Sequence, residues 1–262
     1  MVCHQPQVKD EPQVSVTEYL LAMVAHRNRL LTLSSGVLLL VVFSVGPLAA
    51  LERHYFWAHI ASNLSIMMIA VPLFLLGRPI DLLVTKWPAL ELILAGRVFR
   101  VICHPVVVWF LFVGTVMGVH FSPFLNYSLS HPLIHYFVEN PLYIVVAFLY
   151  YWSILPGNYS PARLTPAWRV VSLFAMMVPE TMTGFFIYIT HTVNYPFYLT
   201  ISGATPNSVL TDQQLGGSLL WAGAMIIDSV WIAVAVQAWF RSEERKSILV
   251  DAEIAAEMGE AR

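Results

Sequence analysis

The sequence predicts an all-α fold, a polytopic transmembrane helical bundle of about six spans with both termini cytoplasmic. Three observations predict it. Of 262 residues, 58% are hydrophobic and only 11% charged, against roughly 25% charged residues in a soluble domain. Six stretches are apolar over the roughly 20 residues that a bilayer crossing takes. The basic residues then gather on one side of the alternation that those stretches define, as cytoplasmic loops do.

Residues 1–29 form an N-terminal cytoplasmic segment, too polar for a secretory signal peptide. Within it, Ser15-Val16-Thr17-Glu18 has the capping-box pattern, and the apolar run from Tyr19 to Val24 before His26, Arg27 and Arg29 reads as a short interfacial helix. The spans follow at approximately 30–51, 56–76, 98–119, 133–154, 170–191 and 215–240. Between the second and third, residues 80–96 are apolar but interrupted by Asp81, Lys86, Pro88 and Glu91. That composition suits an amphipathic surface helix and leaves room for a seventh, short or re-entrant span. Residues 30–240 thus make the membrane domain, and 241–262 a cytoplasmic tail.

Orientation follows from the cations. Lys9, Arg27, Arg29, Arg78, Lys86, Arg97, Arg100, Arg163, Arg169, Arg241, Arg245, Lys246 and Arg262 fall on one side, and only Arg53 on the other. Loops 52–55, 120–131 and 192–214 are therefore expected outside. The formal charge of -2 excludes a nucleic-acid binder built on a broad basic surface. Cys3 and Cys103 form no CxxC pair, so no thiolate metal site is signalled. The chain also lacks G-x-S-x-G, H-E-x-x-H, P-loop and Rossmann patterns, and is read as a non-enzyme.

In this topology, six of the nine histidines converge on the outer ends of the spans: His54, His59, His120, His131, His135 and His191. On a helix, His131, His135 and Glu139 at i, i+4 and i+8 share a face. Matching stripes are His59, Asn63 and Met67; Met117 and His120; and Met177, Glu180, Gly184 and His191. Charged groups inside a bilayer turn to the bundle interior, which places Glu180 and Asp228 inward. Imidazole suits copper, zinc and iron, and thioether sulfur selects Cu(I). The pattern predicts a copper site at His59, His120, His131 and His135, with His191 as a further ligand. Glu139, Asn63, Met67, Met117, Glu180 and Asp212 would support it or form a path beside it. The plainer reading has each imidazole bonded to loop carbonyls and the methionines filling gaps. His104 before Pro105 reads as a local structural feature.

Three blocks carry a family resemblance. The first is the helix holding Trp57, His59, Asn63, Met67 and Pro72 that ends in Gly77-Arg78-Pro79. The second is His120-Phe121-Ser122-Pro123 followed by His131-Pro132-Leu133-Ile134-His135, and the third, the most specific, is Asp212-Gln213-Gln214 before Gly216-Gly217. They resemble the integral-membrane CtaG family of cytochrome c oxidase assembly factors. The chain departs from that family in carrying Asn63 where a second histidine is usual, Val119 where Trp is usual, and six apparent spans against seven. The resemblance implies a copper-binding or copper-delivering chaperone for a haem-copper oxidase in a bacterial inner membrane. Its partners would be oxidase subunits, other assembly factors and the lipid bilayer. Two other classes stay open: a copper transport or resistance protein with Met67, Met177 and Glu180 along a path, and a b-type haem protein with His59 and His135 as axial ligands.

Overall fold

The computed structural model describes residues 16–155 and 159–260, and among these it is helical with no strand. Ser15, and with it the expected capping box, lies outside the described residues. From Val16 a single helix runs without interruption to Val45 and passes, after Gly46, into Pro47–Glu52. Five helices are long and apolar enough to cross a membrane: Asn28–Glu52, Phe56–Leu76, Pro132–Ile154, Pro166–Ile189 and Pro206–Ala255.

Residues 98–119, expected as one span, are divided. Arg97–Ile102 is a short separate helix, and the next begins at Pro105 behind His104. A residue before proline is pushed out of the α region, and His104 is extended, with φ -61° and ψ 129°. Its Nδ1 accepts the Val106 N–H at 3.3 Å, which gives this histidine the expected structural role. Pro105–Phe121 then bends by 70° into Phe124–Ser130, and the pair counts as a sixth span only when taken together. Residues 80–96 resolve into Pro79–Lys86 and Ala89–Leu94. Asp81, in the first of these, accepts the Tyr159 N–H at 2.6 Å and the Arg78 Nε–H at 2.6 Å.

Small residues set how closely the helices approach, as they do where apolar burial gives helices no preference for each other over lipid. A Cβ on Gly184 would stand 2.4 Å from the Trp221 backbone nitrogen, and one on Gly217 would stand 2.6 Å from that of Tyr188. Helices Pro166–Ile189 and Pro206–Ala255 therefore touch backbone to backbone. Gly36 and Gly77 do the same for the first two spans, where added Cβ atoms would meet Phe74 at 2.3 Å and Leu33 at 2.5 Å. Arg29 closes that seam through bonds to the carbonyls of Gly77 at 3.0 Å and Arg78 at 2.7 Å.

The Asp212-Gln213-Gln214 block fixes one end of the bundle. Asp212 accepts the Phe56 N–H at 2.6 Å and the Trp57 N–H at 3.3 Å. These are among the donors that a helix start leaves without intrahelical partners, and an anion there also meets the positive end of the helix dipole. Gln213 accepts the Asn194 N–H at 2.7 Å and donates to Thr192 O at 3.1 Å, while Gln214 donates to Thr190 O at 3.3 Å. One turn of the last long helix thereby anchors the start of the second span and the 190–194 loop.

Two outcomes follow from this packing. Gly184→Leu should prevent recovery of a folded monodisperse protein, whereas Gly118→Ala, with nothing within 4 Å of its added Cβ, should melt at or above the wild-type temperature, because alanine is favoured over glycine within a helix. Size-exclusion profiles and thermal melts in detergent check both. Asp212→Ala should cost about 1 kcal/mol, the usual worth of a helix cap, and speed hydrogen exchange at the Phe56 and Trp57 amides, while the neighbouring exposed Thr211→Ala should leave exchange there unchanged.

Candidate metal centre

A proline and a carboxylate decide which histidines come together. Pro132 pushes the residue before it out of the α region, and His131 is accordingly extended, with φ -125° and ψ 90°. It caps a helix rather than riding on one. Its side chain is exposed, its ring lies against Tyr127 at 4.2 Å, and its Nδ1 sits 2.8 Å from Tyr127 O. The expected face of His131, His135 and Glu139 is thus cut after its first member. His191 follows the end of Pro166–Ile189 and is also exposed, as is His54. The structure does not bring these three to the interior.

What remains is drawn together. His135 opens a wide π turn, His135–Glu139, and both its ends are buried. His59 is fully buried on Phe56–Leu76, and His120 is buried at the end of Pro105–Phe121. The ring of His59 lies 5.9 Å from that of His135 and 6.2 Å from that of His120. His120 Nδ1 is 2.7 Å from Val116 O, leaving Nε2 without a partner.

The residue that sequence reading missed is Glu52. It ends the Pro47–Glu52 helix with 1% of its side chain exposed, and its Oε2 stands 3.0 Å from His135 Nε2 and 3.6 Å from His59 Nδ1. A signal was available, since Glu52 is the only acidic residue between Glu18 and Asp81, and a charge bordering an apolar stretch turns inward to a partner. One ligand atom each from Glu52, His59 and His135 lie within 4.8 Å of one another, all three side chains buried. Glu139 stands behind both imidazoles. Its Oε2 is 2.9 Å from His135 Nδ1 and bonded by the Ser128 hydroxyl, and its Oε1 is 3.4 Å from His59 Nε2. Asn63, the residue standing where a second histidine is usual, places its amide 2.9 Å from the same His59 nitrogen.

The backbone under the site is clamped from the segment that follows Pro166–Ile189. Tyr198 donates to Glu52 O at 2.9 Å and Tyr195 to His120 O at 3.2 Å. Burial pushes both phenols up from the usual tyrosine range, which keeps them as O–H donors. Asp212 acts one step away, on the amides that precede His59, and touches none of the imidazoles through the bonds it makes. Met67 is buried a turn beyond Asn63, and Met117 is half-buried. Glu180 is buried in Pro166–Ile189 and is not among the three clustered ligands.

This arrangement can hold a cation. His135 makes both of its carboxylate bonds only with a proton on each nitrogen, and an ion between Glu52, His59 and His135 would replace the proton that points at Glu52. Glu52 Oε1, His59 Nδ1 and Glu139 Oε1 are buried with no hydrogen-bond partner, the condition in which a missing positive charge is felt most. Glu139 then supplies what metal-bound imidazoles ordinarily have, a carboxylate on the far ring nitrogen that fixes orientation and raises basicity.

Comparison with known proteins bears on the identity of this arrangement. An uncharacterized protein of Mycobacterium bovis is 27% identical over 231 residues, covering 83% of this chain and 35% of that protein. An uncharacterized protein of Mycobacterium tuberculosis matches to the same extent, and one of Mycobacterium leprae is 24% identical over 237 residues, 86% of this chain and 36% of its own length. The chain therefore spans little more than a third of the curated relatives it matches. No solved structure matches it. The family model for the cytochrome c oxidase caa3 assembly factors (Caa3_CtaG) matches residues 19–242, which takes in every element of the site, and the chain belongs to that family.

Proposed function

We propose that this protein is a non-catalytic assembly factor that binds copper at Glu52, His59 and His135 and holds or delivers it for maturation of a haem-copper oxidase. The observation that carries the reading is the convergence of three buried ligand atoms within 4.8 Å, backed by Glu139. His120 stands beside the group but is not one of the three whose ligand atoms lie within 4.8 Å of one another, so the ligand roles go to the other three. His131 and His191, expected as ligands from spacing, take no part in this version of the site.

The donor set also speaks to oxidation state. Two imidazoles and a carboxylate suit divalent copper, and equally zinc, whereas thioether sulfur is the donor that favours Cu(I). On the three donors Glu52, His59 and His135, the reading is a divalent ion at this point. The haem alternative fits poorly, because His59 and His135 are bridged by Glu52 at 3.6 Å and 3.0 Å, leaving no slot for a macrocycle between the rings. Transport keeps one supporting observation: Met67, Met68 and Glu180 line a cavity that also touches His120. Cu(I) uptake by vesicles carrying the protein would favour that reading over a static binder.

In the proposed setting, a bacterial inner membrane, the basic loops face the cytoplasm and the centre lies toward the outer face. The partners are oxidase subunits or fellow assembly factors.

Purified wild-type protein should retain copper that His135→Ala, His59→Ala and Glu52→Ala each lose, while His131→Ala and His191→Ala keep it. Elemental analysis after dialysis reads the difference, and equal copper in wild type and His135→Ala would end the proposal. For orientation, Ser202→Cys in a background with Cys3 and Cys103 replaced should react with an impermeant thiol reagent added outside intact spheroplasts. Ser247→Cys should react only after lysis, and the reverse pattern would invert the topology.

A further inference from the structure

The ligand residues of the centre are closed off from water. Glu52 is 1% exposed, His59 0% and His135 2%, so an ion reaches them only when part of the wall moves. Two clefts flank the segments that carry them. One is walled by Ser44, Val45, Ala49, Ala50, Phe137 and Ile144. Its surface is mostly apolar, and Val45 and Phe137 stand exposed on membrane-crossing helices. A cation finds little there to replace its hydration shell.

The other cleft, of about 330 Å³, is walled by His54, Tyr55, Tyr198, Ser202, Ser208 and Asp212, with no lysine or arginine among its lining residues. A divalent ion with about six waters fills roughly 180 Å³, at roughly 30 Å³ a water, so the cleft admits it hydrated. His54 and Asp212 bring to its wall the two donor types found at the centre, imidazole and carboxylate.

One side chain belongs to both places. Tyr198 lines the cleft, is itself buried, and donates to Glu52 O at 2.9 Å. Its ring stands edge-on to Phe56 with centroids 6.1 Å apart, and Phe56 stacks with His59 at 6.2 Å. A swing of Tyr198 would break its bond to Glu52 and uncover the Glu52 and His59 side of the centre. The adjoining turn, residues 201–204, holds Gly203 at φ 80°, and a Cβ there would meet nothing within 4 Å.

We propose that this cleft is the port through which a divalent cation enters and leaves the centre, and that Tyr198 is the gate between them. The port rests on the metal-binding reading of Glu52, His59 and His135 and supplies the route to it. An incoming ion pauses at His54 and Asp212, then exchanges water for Glu52 when Tyr198 releases the Glu52 carbonyl.

The test follows Cu(II) uptake by the metal-free full chain in detergent, with free copper removed on a desalting column at intervals and bound copper measured. Only copper that His135→Ala fails to take up is counted. With Cys3 and Cys103 replaced, Ser202→Cys puts a thiol on the cleft wall that a bulky maleimide blocks after folding. Blocking should slow uptake about tenfold, as expected when entry must wait for a rarer opening, and leave the final copper content unchanged. The same label on Ser247→Cys, about 50 Å along the last long helix from Asp212 at roughly 1.5 Å a residue, should do neither. Tyr198→Phe, in the native cysteine background, keeps the ring and loses the bond to Glu52 O. It should load on the order of fivefold faster, the effect of one neutral hydrogen bond on a rate. Equal rates with the Ser202→Cys label on and off would overturn the port while leaving the centre standing, and an unchanged rate in Tyr198→Phe would overturn the gate. Wild type that takes up no more copper than His135→Ala would overturn centre and port together.

Discussion

The contact on which this end of the bundle depends is the bridge that His135 makes between Glu52 and Glu139. Two carboxylates buried to within 1% of full enclosure are tolerable in an apolar bundle only if positive charge lies between them, because the cost of burying a lone anion exceeds anything that packing returns. His135 supplies that charge when doubly protonated, and a metal ion would supply it instead. In the proposed reading, a proton and a cation would compete for that one position. The surrounding structure is stiff enough to keep the position in place for either.

That stiffness comes from three directions. Tyr198 holds the Glu52 carbonyl, Tyr195 holds that of His120, and Asp212 caps the helix that carries His59. The wide turn at His135–Glu139 matters as well. Turns of this kind are uncommon and gather at functional positions, and here the turn starts and ends on the two residues that bond each other. Rigid helices thus carry the ligands, while the loop from Thr190 to Thr205 serves as a clasp rather than a ligand source.

The parts of the fold set by bulk chemistry were legible in the sequence. Five of the apolar stretches appear as long helices, because hydropathy measures the same quantity that the bilayer selects, although the last, expected at 215–240, extends over Pro206–Ala255 and the first begins back at Val16. The third stretch was misread for a local reason: His104-Pro105 and Pro123 break a run whose composition is uniformly apolar, and a composition window does not see a single backbone restriction. The same restriction at Pro132 removed His131 from the stripe it seemed to head, though it stands in plain view in the sequence. Glu139 was legible because the four-residue spacing from His135 survives the wide turn. Glu52 was not, because its partner His135 is 83 residues away and no periodicity links them.

The Asp212-Gln213-Gln214 block shows how a motif can belong to a site without touching its ligand. Its specificity suggested chemistry, yet each of its side chains ends on a backbone group: two amides at a helix start, and an amide and two carbonyls in the clasp. The two glycines that follow let the same helix lie directly on Phe56 and on Gly184. Shifting this helix by even one residue would release the cap on the His59 helix and drive a Cβ into a neighbouring backbone together. A motif built this way fixes the distance between Glu52 and His59 from behind, and a cation site is sensitive to that distance, since ligand atoms that drift apart no longer share an ion. The residues that recognise the family and those read here as metal ligands are therefore largely different sets, joined through the geometry that the first imposes on the second.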